Sequence, residues 1–199
     1  PGAPRRFSPP FIAAAAVCTA LAMLWRWLQH YPLPLFDLYP LYYGALAWLR
    51  TGDAYALAAV VPPEHEPYTV FQIGGGYPLP AVLLALPLTL LPPHTAATLW
   101  IGALTAGLLL ALRLYDAPLW LLLYVPLLEA LRIEQYTTLI VVCQILALWA
   151  LRARRPWLLA LLCALILTKP THGALFVLLM LFLGRNWREQ FVVTAAVWG

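Results

Sequence analysis

The sequence predicts an all-α protein, a polytopic bundle of transmembrane helices whose first and second spans are separated by an outer-face loop carrying short interfacial helices. Three observations predict it. Hydrophobic residues make up 63% of the chain and charged residues 10%, with a mean hydropathy of +0.81, a balance foreign to water-soluble domains. Long apolar runs recur along the chain, and in lipid a helix satisfies its own backbone hydrogen bonds. The polar residues gather at the ends of these runs.

Residues 10–29 form the first run, long enough against the ~20 residues an upright span needs. Residues 30–93 follow as the loop region, opening with "LFDLYPLYYGALAWLRTGDAY". Between 30 and 76 four acids (Asp37, Asp53, Glu64, Glu66) stand against Arg50, a formal charge of −3. "YPLPAVLLALPLTLLPP" (77–93) holds five prolines and reads as a helix at, or dipping into, the outer interface. Were it to cross, the arginine clusters would fall outside. Residues 95–113, 117–131 and 136–151 are further spans, several of them short, as for helices that end inside the protein. Residues 156–184 exceed one upright helix, and "TKPTHG" breaks them into two short helices meeting at Lys169-Pro170. The chain starts on Pro1, and "REQFVVTAAVWG" reads as the start of another apolar helix. Residues 1–199 are thus read as one transmembrane domain, the N-terminal part of a longer protein.

Charge sets the orientation. Arg5, Arg6, Arg113, Arg152, Arg154, Arg155, Arg185 and Arg188 fall on one side if the N-terminus is cytoplasmic, and the acidic loop then faces outward. This predicts a multi-pass protein of the plasma (inner) membrane. The excess of +4 comes from those cytoplasmic arginines, which suits anionic lipid and gives no reason to invoke nucleic acid. Cys18, Cys143 and Cys163 each lie alone in an apolar run, a pattern of small buried side chains, with neither disulfide nor metal spacing. No metal and no cofactor is expected.

The same topology gathers Asp37, Glu129, Arg132, Glu134, Gln135 and Lys169 at outer ends of spans, with Arg26 in the last turn of the first. Ionisable groups so placed must pair or line a wet cavity, which makes them a candidate site. Each has a plainer reading. Asp37 before "LYPLYY" is an ordinary helix-start acid, Asp53 in "TGDAY" a turn residue, and Arg26 a snorkelling side chain. Glu129 and Arg132 are spaced as a self-satisfied helical pair, and Arg132 and Glu134 can neutralise one another. Glu64, His65 and Glu66 are loop neighbours that do not converge, His94 and His172 are interfacial residues at helix breaks, and "GGG" (74–76) is a hinge.

In order and spacing, "FDLYPLYYGALAWLRTGDAY", "YPLPAVLLALPLTLLP", "LRIEQYTTLIVV" and "ALILTKPTHGALFVLLMLFLGRNW" resemble the polytopic glycosyltransferases of the GT-C fold, and family 87 in particular, the polyprenyl-phosphate-mannose-dependent mannosyltransferases. Two motifs depart from that pattern: a "GQ" appears as Glu134-Gln135 and a "YPP" as "YPLP". The resemblance implies transfer of a sugar, mannose in that family, from a polyprenyl-phosphate donor to an acceptor hydroxyl at the outer face, inverting and metal-free. It implies Asp37 as general base and places Lys169, Arg132, Arg26, Gln135, Tyr39, Tyr42 and Tyr43 around the substrates, the cations on the phosphate and the tyrosine faces toward sugar. The partners it implies are membrane lipid and the lipid-linked sugar, with a C-terminal half completing the donor and acceptor sites. Two other classes stay open: a non-catalytic membrane subunit of a larger assembly, and a transporter, for which broken helices and buried charge are also typical.

Overall fold

The computed structural model describes residues 8–28, 38–62, 77–118, 121, 128, 130–131 and 135–183. Seven α-helices lie within them: α1 (Pro9–Leu28), α2 (Leu38–Thr51), α3 (Leu79–Leu84), α4 (Pro93–Tyr115), α5 (Tyr136–Arg152), α6 (Pro156–Leu167) and α7 (Pro170–Leu183). Two 3₁₀ turns, Leu57–Ala59 and Leu86–Leu90, join the smaller pieces, and no strand occurs among the described residues.

Prolines start most of these helices. Pro93 and Pro156 open α4 and α6, where a missing N–H leaves no hydrogen bond unmade. At the other end of α4, Asp116 takes the left-handed conformation (φ 70°), and the Ala117 N–H returns to the Leu112 carbonyl at 2.9 Å. Arg154 (φ 54°) does the same for α5, and the chain turns directly into α6.

The helix directions follow from a few contacts. Arg113 lies 5.6 Å from the Phe11 ring centroid, Met23 abuts Gly102, and Trp27 rests on His94 with ring centroids 4.7 Å apart, so α1 and α4 are antiparallel along their length. Trp100 faces Tyr136 and Gly107 faces Val142, so α4 and α5 run parallel. After the tight turn at Ala153–Arg155, α6 returns antiparallel to α5, ending where Thr168 meets Tyr136. A Cβ built on Gly173 would stand 2.5 Å from both the Ile166 carbonyl oxygen and its Cγ2. Residues seven apart in one straight helix are about 10 Å apart, so the chain folds sharply at Thr168-Lys169. The break expected at Lys169-Pro170 is there, and Pro170 is its cause.

Small side chains hold the bundle together. Ala96, Ala111, Ala147, Ala150, Ala160 and Cys163 are fully buried, and their small side chains let the helix backbones approach closely. Thr98 and Thr105 satisfy their hydroxyls on the carbonyls of His94 and Ile101, one turn back. The outward surface is apolar: Val17, Leu21, Leu24, Leu110, Trp157 and Leu175 are exposed. By length and composition α1 and α4 are each able to cross a membrane, and α4, at 23 residues, spans about 35 Å. Cys143 and Cys163 are buried as expected, but Cys18 is exposed, because among the described residues α1 packs chiefly against α4 and turns most of its surface outward.

The bundle has two distinct ends. Arg113, Arg152, Arg154 and Arg155 mark one, with the Arg152 guanidinium 4.0 Å from the Tyr115 ring centroid. Arg26, His94, Gln135 and Lys169 mark the other. Over that second end lie α2, α3 and the 3₁₀ turns. The stretch expected to form an interfacial helix over 77–93 folds as α3 and the turn at Leu86–Leu90, each too short for the roughly 30 Å hydrocarbon core.

Candidate functional site at the Lys169 end

Lys169 occupies the elbow between α6 and α7. Pro170 holds it out of helical geometry, and its ammonium projects toward α5, donating to Thr137 Oγ1 at 2.8 Å. It also lies 5.5 Å from the Tyr77 ring centroid, within reach of the negative face of the ring. Tyr77 packs edge-on against Tyr136 (5.5 Å, 74°), and Tyr136 stacks on Trp100 (6.5 Å, 6°). The Thr168 hydroxyl donates to the Leu165 carbonyl, which leaves its oxygen to accept from the Tyr136 hydroxyl. The elbow is therefore pinned on both sides of Lys169, by Thr168 behind and by Thr137 ahead.

Gln135 caps α5 beside Thr137. Its N–H donates to the Ala130 carbonyl at 2.8 Å and its carbonyl accepts from Thr138 at 2.9 Å, while its side chain makes no capping hydrogen bond. One turn into α7, the His172 carbonyl accepts from Gln144 Nε2 at 3.2 Å, and the His172 ring nitrogen Nδ1 meets the Thr171 hydroxyl at 2.9 Å. Arg26 lies at the same end but on the α1 side, 1% exposed, so its guanidinium is enclosed by protein and does not snorkel outward.

Tyr39, Tyr42 and Tyr43 face inward from α2, at 4%, 5% and 2% exposure. Tyr39 stacks on Tyr43 (6.1 Å), Tyr42 meets Tyr43 edge-on (5.2 Å), and the Tyr42 hydroxyl donates to the Leu91 carbonyl at 2.8 Å. Their rings tie α2 to the start of α4, and their faces are occupied by one another. Burial pushes the Tyr42 phenol above its ordinary pKa, with Arg50 pulling weakly the other way. Asp53 is the turn residue it was expected to be: its carboxylate accepts the Tyr55 N–H at 2.9 Å. From that turn the Tyr55 hydroxyl reaches the Tyr77 carbonyl at 3.1 Å, linking the loop to the elbow.

Asp37 and Arg132 lie outside the described residues, as do Glu64, His65, Glu66, the glycines 74–76, Glu129 and Glu134. Asp37 immediately precedes Leu38, the first residue of α2. Among the described residues no three His, Cys, Asp or Glu side chains gather as a metal site. Sequence reasoning assigned no role to Thr137, Thr168, Tyr77, Tyr136 or Trp100. Tyr77 and Thr137 do sit inside the motif strings "YPLP" and "EQYTTL", which was the available signal.

The regular structure of the described residues is thus helical throughout, with two helices long and apolar enough to cross a membrane and a pinned lysine among aromatic rings at one bundle end. Residues 76–199 match glycosyltransferase family 87, more than half of the chain, and the protein belongs to that family of glycosyltransferases. No curated protein matches it, and no solved structure does.

Proposed function

We propose that the chain belongs to a polytopic GT-C-type glycosyltransferase that moves a sugar, mannose, from a polyprenyl-phosphate donor to an acceptor hydroxyl at the extracytoplasmic face of the plasma membrane. In this reading the acceptor oxygen attacks the anomeric carbon as the bond to the phosphate oxygen breaks, with inversion. Asp37, which precedes α2 in sequence, takes the hydroxyl proton. Lys169 compensates the charge left on the lipid phosphate, assisted by Arg132 and Arg26. Gln135 contributes polar contacts at the same helix end. Tyr39, Tyr42 and Tyr43 serve by seating α2, the helix that follows Asp37 in sequence, on the bundle.

The observation that carries the reading is the setting of Lys169. A cation held by Thr137 and Tyr77, at the bundle end opposite Arg113 and Arg152, supports the reading that this end meets the lipid phosphate. Reorganisation there is small, since the elbow is already held.

The test is transfer of radiolabelled mannose from polyprenyl-phosphate-mannose by membranes carrying the full-length protein. Asp37→Asn is expected to lower transfer by about 10²–10⁴-fold, the range for a lost general base. Lys169→Met is expected to lower turnover without preventing insertion. Equal transfer by wild type and Asp37→Asn removes Asp37 from the chemistry. No transfer by wild type from this or other lipid-phosphate sugars favours a structural subunit.

A further inference from the structure

An apolar groove of about 610 Å³ runs along the outer surface between α1 and α4, well away from the Lys169 end. Phe11, Ala15, Thr19 and Met23 form one wall, Ala106 and Leu110 the other. From Phe11 to Met23 the wall covers about 18 Å, close to the ~15 Å depth of one leaflet's hydrocarbon. Alanines at 15, 16, 20 and 106 keep it shallow and open to the side, so a flexible chain can enter laterally.

What stands at its mouth identifies the occupant. Arg113 is half-buried there, its guanidinium over Phe11 at 5.6 Å, and its Nε is buried with no hydrogen-bond partner among the described residues. Nε is enclosed, but the side chain as a whole is only half-buried, and the accessible part of its guanidinium can donate to a phosphate with charge-assisted hydrogen bonds. Arg152, Arg154 and Arg155 add positive charge at the same end. An apolar channel about one leaflet deep, with the Arg113 guanidinium beside Phe11 at its mouth and further arginines at the same end, suits an anionic lipid.

We infer that the α1–α4 groove binds an anionic phospholipid of the leaflet at the arginine end, one acyl chain lying along Ala15–Met23 and the phosphate accepting from Arg113. The inference rests on α1 and α4 crossing the membrane and is independent of the transfer reaction. The bound lipid completes the outer face of α1, which packs against α4 but is otherwise uncovered among the described residues.

The test is native mass spectrometry of the purified full-length protein, titrated with phosphatidylglycerol and with phosphatidylcholine of matched chains. Wild type is expected to retain one phosphatidylglycerol at about tenfold lower concentration than phosphatidylcholine, whose choline offsets the phosphate charge that the arginines would attract, a difference on the scale of one to two nearby cations. Arg113→Gln should abolish the preference, Arg113→Lys should restore part of it, and Ala106→Trp, at an exposed position, should reduce retention of both lipids by filling the groove. Unfolding temperatures measured in phosphatidylcholine check that each variant is folded. Displacement by millimolar inorganic phosphate would mean an anion site without a lipid. That result, equal retention of the two lipids by wild type, a preference that survives Arg113→Gln, or full retention by Ala106→Trp would each overturn the inference.

Discussion

Gly173→Ala tests whether the α6–α7 elbow is as closely packed as its contacts indicate. The new methyl would stand 2.5 Å from the Ile166 carbonyl oxygen and 2.5 Å from its Cγ2. Neither can step aside cheaply, since one is backbone and the other belongs to a β-branched side chain stiff at χ1. Overpacking of this kind costs about 1–3 kcal/mol, against which alanine returns up to about 1 kcal/mol of helix propensity. The net loss is about 1–2 kcal/mol, or about 2–8 °C in the unfolding temperature of a chain this size. Gly107→Ala is the matched control. There the methyl would meet Val142 Cγ1 at 3.4 Å, an ordinary contact, so the propensity gain survives and the unfolding temperature rises by about 2–4 °C. Thermal unfolding of the purified protein, followed through its nine tryptophans, reads both. A Gly173→Ala variant that melts at or above wild type refutes the elbow packing.

Further expectations concern the site and the two ends. Thr137→Val removes the acceptor of Lys169 and is expected to slow transfer about tenfold, with Thr137→Ser restoring it in the same mannose assay. Tyr42→Phe loses the bond to the Leu91 carbonyl and about 1 kcal/mol of stability in a melt at neutral pH. Because burial raises the folded-state pKa of Tyr42 above its unfolded value near 10.0, its contribution is fully present below that pH and is lost as pH rises through the folded value; melts above pH 10 should show this decline in wild type and less of it in Tyr42→Phe. Arg152→Ala gives up the contact with Tyr115, worth about 0.5–1 kcal/mol, and should lower the unfolding temperature by a few degrees.

The helix bounds were legible because lipid imposes a simple code. The runs 10–29, 95–113 and 136–151 fold as Pro9–Leu28, Pro93–Tyr115 and Tyr136–Arg152, and Pro170 marks its own break. Which helices touch, and in which direction, was less legible, since an apolar run looks alike from every side. The parallel course of α4 and α5 rests on contacts such as Trp100 with Tyr136, between residues far apart in sequence. The same limit hid Thr137: a threonine in an apolar run gives no sign that a lysine 32 residues on will donate to it. Tyrosine composition likewise suggested ring faces open to sugar, whereas the first two turns of α2 are buried on every side, Leu41 and Ala45 in one cluster and Tyr39, Tyr42 and Tyr43 in another. Charge patterning did better. Among the described residues, Arg113, Arg152, Arg154 and Arg155 lie at one bundle end and Arg26, Gln135 and Lys169 at the other, while Arg5, Arg6, Arg185 and Arg188 lie outside the described residues.

The direction of each helix also decides where cations rest comfortably. Arg26 lies in the last turn of α1, Lys169 two residues past the last of α6, Arg113 in the last turn of α4 and Arg152 in the last turn of α5. Every one of them is at a carboxyl end, where the partial negative charge of unpaired carbonyls favours a cation by about 0.3–1 kcal/mol, and by more when partly buried. At the Lys169 end those carboxyl ends alternate with the amino ends of α4, α5 and α7, whose first-turn N–H groups favour an anion. An anionic headgroup arriving there meets a field assembled partly from the backbone itself, so part of its attraction should outlast the loss of any one side-chain charge.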